Sequence, residues 1–110
     1  MGFVYLIVER DNIELNNNPV KIGVTTGLIE NRIKKLQTGN NSELHLISSF
    51  KTEYPFKLEK MLHLHYHAQR QNGEWFQLTD DDIKNFKNVC QEKENIIQIL
   101  KKNNIFFDKY

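Results

Sequence analysis

Phe3-Val4-Tyr5-Leu6-Ile7-Val8-Glu9, followed across an asparagine-rich gap by Val20-Lys21-Ile22-Gly23-Val24-Thr25, is the stretch that decides the fold. Both segments are short and rich in β-branched and aromatic residues, with turn-forming residues beside them, the pattern of buried strands. Between them, Asp11 to Pro19 reads as a loop, because Asn supplies local side-chain hydrogen bonds and tolerates left-handed backbone. The two strands are expected to pair as an antiparallel hairpin, which sets Tyr5 and Lys21 side by side.

Downstream, Thr26 and Gly27 punctuate the chain, and Thr25 or Thr26 is the expected cap of the next element. From Leu28 on, Ile29, Ile33 and Leu36 recur at helical spacing while Glu30, Arg32, Lys34 and Lys35 take other faces. Gly39-Asn40-Asn41 ends that helix. Leu44, Leu46 and Ile47, leading to Phe50, predict a third strand. Pro55 suits the first turn of a helix expected to run to about Gln69, with Leu58, Met61, Leu62 and Leu64 toward the sheet. Asn72-Gly73 reads as a turn, and Trp75-Phe76 as a short extended piece whose aromatics plug the core. Thr79 is a good N-cap, because Asp80, Asp81 and Asp82 occupy a first turn where the helix dipole favours negative charge. Ile83, Phe86 and Val89 continue that helix, and a further stretch with Ile96, Ile97, Ile99 and Leu100 ends near Asn103-Asn104. The expected architecture is one α+β domain over residues 1–110, a three-stranded antiparallel sheet packed by helices, with a core at 3–78 and C-terminal helices at 79–104.

Composition narrows the function classes. A chain of 110 residues fits one modest core, and 39% apolar with 26% charged residues is a globular balance. The formal net charge is only +1, so a nucleic acid would be drawn by a local patch and not by the field of the whole molecule. Cys90 is the only cysteine, which excludes an intramolecular disulfide and a cysteine zinc site. No basic leader followed by a long apolar run opens the sequence, and no run approaches membrane-spanning length. The expectation is a soluble protein of a reducing compartment, cytoplasmic or nuclear, with no membrane partner.

Taken in order, Phe3-Val4-Tyr5, Lys21-Ile22-Gly23, Arg32 to Gly39 (Arg-x-x-x-Leu-Gln-Thr-Gly), Glu59 with His63, and Gly73-Glu74-Trp75-Phe76 resemble the GIY-YIG nuclease superfamily. The closer likeness is to a small-domain branch of phages, viruses and microbes that carries KIG and GEWF motifs. It spans roughly residues 3–78. The resemblance implies a divalent-metal-dependent DNA endonuclease using Mg²⁺ or Mn²⁺.

Read from the residues alone, Tyr5 is a core aromatic, Lys21 a strand-edge lysine, Arg32 a solvated helix arginine and Glu59 an exposed glutamate paired with a nearby base. The resemblance implies catalytic roles for Tyr5, Lys21, Arg32, Glu59 and His63. Tyr5 would help take a proton from the attacking water; a phenol keeps its proton to about pH 10, so a cation such as Lys21 would assist. Arg32 falls where the superfamily grips phosphate, and a guanidinium offers paired donors and stays charged. Lys34 and Lys35 would add contacts to the nucleic-acid backbone. Glu59 is the metal candidate, since Mg²⁺ keeps most of its waters and accepts one or two carboxylates. His63, one helical turn on, would orient the carboxylate, bind phosphate or fill a half-buried slot. Gly23 suits a close backbone approach or a strand-end bend. Glu74 is a second acid in reach of the site. Where the superfamily often has a histidine after the arginine, this chain has Leu36.

His63, His65 and His67 also raise zinc, but three ligands along one helix cannot surround a tetrahedral ion unaided. Two other functions stand beside the nuclease. One is a nucleic-acid-binding module without hydrolysis, suggested by Leu36 and Lys21. The other is a protein-interaction domain, with the C-terminal helices and the segment Ile105-Phe106-Phe107 as a homodimer surface. A lone small nuclease would cut with limited sequence preference or rely on a targeting partner.

Overall fold

The computed structural model describes residues 1–9, 19–40 and 42–103. Asp11 to Asn18 of the expected loop, Asn41 of the expected helix stop and the proposed dimer segment at 104–110 lie outside the described residues. In chain order the elements are β1 (Gly2–Glu9), β2 (Val20–Thr25), α1 (Ile29–Thr38), β3 (Leu44–Thr52), α2 (Pro55–His65), a 3₁₀ turn (His67–Gln69), β4 (Arg70–Asn72), β5 (Trp75–Phe76), α3 (Asp80–Lys84) and α4 (Phe86–Lys102).

The hairpin forms as its apolar pattern requires. β1 and β2 pair antiparallel with Tyr5 opposite Gly23 and Ile7 opposite Lys21. β3 joins the far side of β1, with a register shift between Leu6 and Ile7. Among the described residues the sheet has five strands and not three, in the order β3-β1-β2-β5-β4. β5 pairs with β2, setting Trp75 opposite Lys21, and β4 pairs with β5. Gly73, with φ +55, makes the tight connection between them in the left-handed region that glycine enters freely. β4 escapes sequence reasoning because Arg70-Gln71-Asn72 is wholly exposed and has no apolar alternation.

Alternation along β1 divides the core between the two sheet faces. Val4, Leu6 and Val8, with Val20 and Ile22, pack on Leu58, Met61 and Leu62 of α2 and on Phe86, Cys90 and Ile97 of α4. Tyr5, Ile7 and Leu44 pack on the other face, against Ile33 and Leu36 of α1. Val4 to Val8 of β1 are therefore buried, with helices packed on both faces of the strand.

Several local expectations are revised. α1 is capped by Leu28 with no side-chain bond, because Thr25 instead turns its Oγ1 to accept from the Gly27 amide at 3.1 Å. α2 stops at His65, not Gln69: Tyr66 follows Leu62 by four residues, is buried, and leads into the 3₁₀ turn. Leu64 does not face the sheet; 63% exposed, it lies across the helix from the Leu58–Leu62 stripe. Thr79 caps α3 as expected, in a capping box where Asp82 N donates to Thr79 Oγ1 (3.1 Å) and Thr79 N to Asp82 Oδ2 (3.0 Å). The break in the C-terminal helices falls at Asn85, so Phe86 and Val89 belong with Ile97 on one unbroken helix. Among the described residues no helix is long and apolar enough to cross a membrane.

Candidate functional site

Tyr5 sits in the middle of β1 and is fully buried. Its ring lies across the neighbouring strand over Gly23, where a Cβ would fall inside the phenol. Glycine at this position is thus a steric requirement of the tyrosine opposite, the close-approach reading and not the strand-end bend. The phenol oxygen emerges under α1 and accepts a hydrogen bond from Arg32 Nε at 3.3 Å. Burial pushes the Tyr5 hydroxyl above its ordinary range, opposed by Arg32 through the hydrogen bond and its charge. Tyr5 is therefore protonated at neutral pH. The cation beside the phenol is Arg32.

Lys21 has a different partner. Its ammonium lies 3.4 Å from Glu74 Oε2, with the lysine side chain 21% and the glutamate 42% exposed. Backbone pairing fixes this geometry: Ile22 N donates to Glu74 O at 3.0 Å, and Trp75 stands opposite Lys21. The β4–β5 hairpin, the part of the sheet hardest to foresee, thus delivers an acid into the site.

Glu59 comes from α2. It is part-buried, and its Oε2 is shielded from solvent with no hydrogen-bond partner among the described residues. Burial first, and the Glu74 carboxylate second, push its carboxyl up to about 7; Lys21 and Arg32 pull the other way without cancelling them. Tyr5 feels the charges of Arg32, Glu74 and Glu59. Tyr5, Lys21, Arg32, Glu59 and Glu74 accordingly form one electrostatic cluster, built from two strands, two helices and a hairpin.

His63, one turn beyond Glu59, directs Nε2 to the Ile22 carbonyl at 3.1 Å and sets its ring edge-on to Phe76 at 4.9 Å. A carbonyl only accepts, so Nε2 carries the proton and Nδ1 is the nitrogen left for any further contact. The histidine ties α2 to β2 and so fixes where Glu59 stands. Leu36 is part of the apolar packing under Tyr5 and Ile7. Lys34 and Lys35 stand exposed on α1 beyond Arg32.

The chemistry of the donor set bears on a divalent cation. An orphaned, part-buried carboxylate oxygen, raised by its surroundings toward protonation, is a group that an arriving cation would stabilise. Among the described residues no three His, Cys, Asp or Glu side chains gather to hold a metal. A largely hydrated ion held by a single carboxylate is the arrangement that fits, and His65 and His67 take no part in it.

A model of the T5orf172 domain matches residues 2–91, a span that runs from β1 into α4 and includes every member of the cluster. No curated protein and no solved structure matches the chain. With most of its length matched, the chain belongs to the T5orf172 domain family, whose members are nuclease-associated.

Proposed function

We propose that the chain is a DNA endonuclease of GIY-YIG type that hydrolyses phosphodiester bonds with Mg²⁺ or Mn²⁺. The observation that carries this reading is the Arg32–Tyr5 hydrogen bond and the Lys21–Glu74 contact, with the orphaned Glu59 oxygen coupled to both by charge. Glu59 would hold the divalent ion, which when bound would supply positive charge for phosphodiester hydrolysis. Arg32 has donors beyond the Nε used on Tyr5, and these grip the scissile phosphate. Tyr5, its oxygen already accepting from Arg32, orients the attacking water through its hydroxyl, and that water gives up its proton to solvent. Lys21 keeps a positive charge beside them, and its field lowers the cost of forming hydroxide. His63 acts by position, holding Glu59 against β2. Lys34 and Lys35 extend the contact along the DNA backbone, and cutting then has limited sequence preference or depends on a targeting partner.

The test is nicking of supercoiled plasmid with Mg²⁺ or Mn²⁺. Glu59→Ala and Arg32→Ala are each expected to lower the rate by at least about a hundredfold. Full activity in either variant would overturn its assigned role. A second reading, binding without hydrolysis, draws on the fact that Arg32 and Lys21 both already have protein partners. Salt-dependent DNA binding with no nicking under either metal would select it.

A further inference from the structure

From the Lys21–Glu74 pair we infer that Glu74 is a positioning residue of the site, holding the Lys21 ammonium in place and cancelling its charge until a phosphate arrives. The inference rests on the nuclease reading for its catalytic half, and on geometry alone for its binding half.

Three observations carry it. The contact between Lys21 Nζ and Glu74 Oε2 is 3.4 Å. The backbone of Glu74 is fixed independently, since its carbonyl accepts from Ile22 N at 3.0 Å beside the Lys21–Trp75 pair. Glu74 also acts on the other members, its charge reaching Tyr5, Arg32 and Glu59. A glutamate serving only to solubilise a hairpin would have no reason to stand at the centre of this set.

The charge balance gives the role its sense. Lys21 and Arg32 carry two positive charges, and the Glu74 carboxylate offsets one of them, so an approaching phosphate meets less positive charge while the Lys21–Glu74 contact holds. Glu74 thereby screens the ammonium, while keeping a flexible four-carbon side chain aimed at one place. An incoming phosphate competes with Glu74 for Lys21, and the half-exposed pair is weak enough to yield.

The experiment compares wild type, Glu74→Gln, Glu74→Asp, Lys21→Met and the Lys21→Met/Glu74→Gln double variant. Two readouts are taken: affinity for a short DNA duplex in EDTA, and single-turnover cleavage with Mg²⁺ and with Mn²⁺. Glu74→Gln is expected to bind DNA roughly two- to fivefold more tightly in EDTA, the effect of one half-exposed charge. Its cleavage rate is expected to fall about ten- to a hundredfold, because the ammonium is no longer held in place. Glu74→Asp, which keeps the charge, returns the EDTA affinity to the wild-type level. In the Lys21→Met background, Glu74→Gln produces no additional loss of rate. Unchanged or weaker EDTA binding by Glu74→Gln overturns the proposal, as does an additive loss in the double variant. If wild type cuts nothing with either metal, the nuclease reading falls, and the EDTA affinities still decide whether Glu74 screens the site.

Discussion

Glu59→Gln should stabilise the protein at alkaline pH while abolishing its chemistry. In the folded chain the Glu59 carboxyl lies at about 7, against an ordinary value of 4.5, chiefly because burial disfavours its charge and Glu74 adds repulsion. The folded state therefore holds this proton more tightly than the unfolded state does. The contribution of Glu59 to stability is greatest below about pH 4.5, falls as pH climbs through the interval up to 7, and levels off above it. Over that interval the difference is roughly 3 kcal/mol if the site is treated as dry. Screening at a part-buried position reduces it to about 2 kcal/mol.

Glutamine keeps the shape and has no proton to lose, so the variant escapes the loss. In a chain of this length about 2 kcal/mol is about 8 °C in Tm. The assay is thermal unfolding by circular dichroism of wild type and Glu59→Gln in EDTA, from pH 4.5 to 8.5. The curves should lie close together at the acid end and separate steadily, with the variant about 8 °C more stable at pH 8. Adding Mg²⁺ at pH 8 should close part of the gap by raising wild type alone, because a ligand of the folded state stabilises it by mass action. Parallel curves with a constant offset would refute the reasoning, for they would mean that Glu59 titrates as a solvated carboxylate.

Two further outcomes follow from the geometry. Gly23→Ala places a methyl group inside the Tyr5 ring; it should cost about 1–3 kcal/mol by overpacking, measured as a lower urea midpoint, and slow any cleavage by displacing Tyr5 from Arg32. A full-stability, full-activity variant would show that the ring can move aside. Thr79→Ala removes the capping box of α3 and should lower stability by about 1 kcal/mol in the same urea titration while leaving DNA affinity unchanged, since Thr79 is not among the residues of the site.

The parts of this molecule that could be read from sequence are those where one physical signal dominates. The apolar run at Phe3–Val8 and the pattern around Lys21 gave the central hairpin, because a buried strand has few alternatives. Tyr5, Lys21, Arg32 and Glu59 were named from ordered motifs, and the fold brings their charges into one cluster. What could not be read depends on partners distant in sequence. β4 is polar and three residues long, and exists because β5 offers it an edge. The stop of α2 at His65 reflects Tyr66 seeking the core, which helical periodicity alone does not announce. The partner of each cation was also invisible: Arg32, not Lys21, reaches the phenol, and Lys21 turns to Glu74.

These pairings explain why the sheet extends past β2 at all. A two-strand hairpin with a third strand beyond β1 would cover the core, yet it would leave Ile22 N without its acceptor and Lys21 without its acid. The short β5 supplies both, and Phe76 within it gives His63 a ring to pack on while Nε2 reaches the Ile22 carbonyl. Ile22 is thus bonded through its amide to the hairpin that carries Glu74 and through its carbonyl to the helix that carries Glu59. One backbone unit of β2 fixes both carboxylates relative to Tyr5 and Gly23 on the same pair of strands. The burial and, after it, the Glu74 repulsion that keep the Glu59 carboxyl high are built into this arrangement. A braced acid held at a cost to the fold is what the proposed ligand role of Glu59 requires, and the thermal-unfolding comparison above tests that cost.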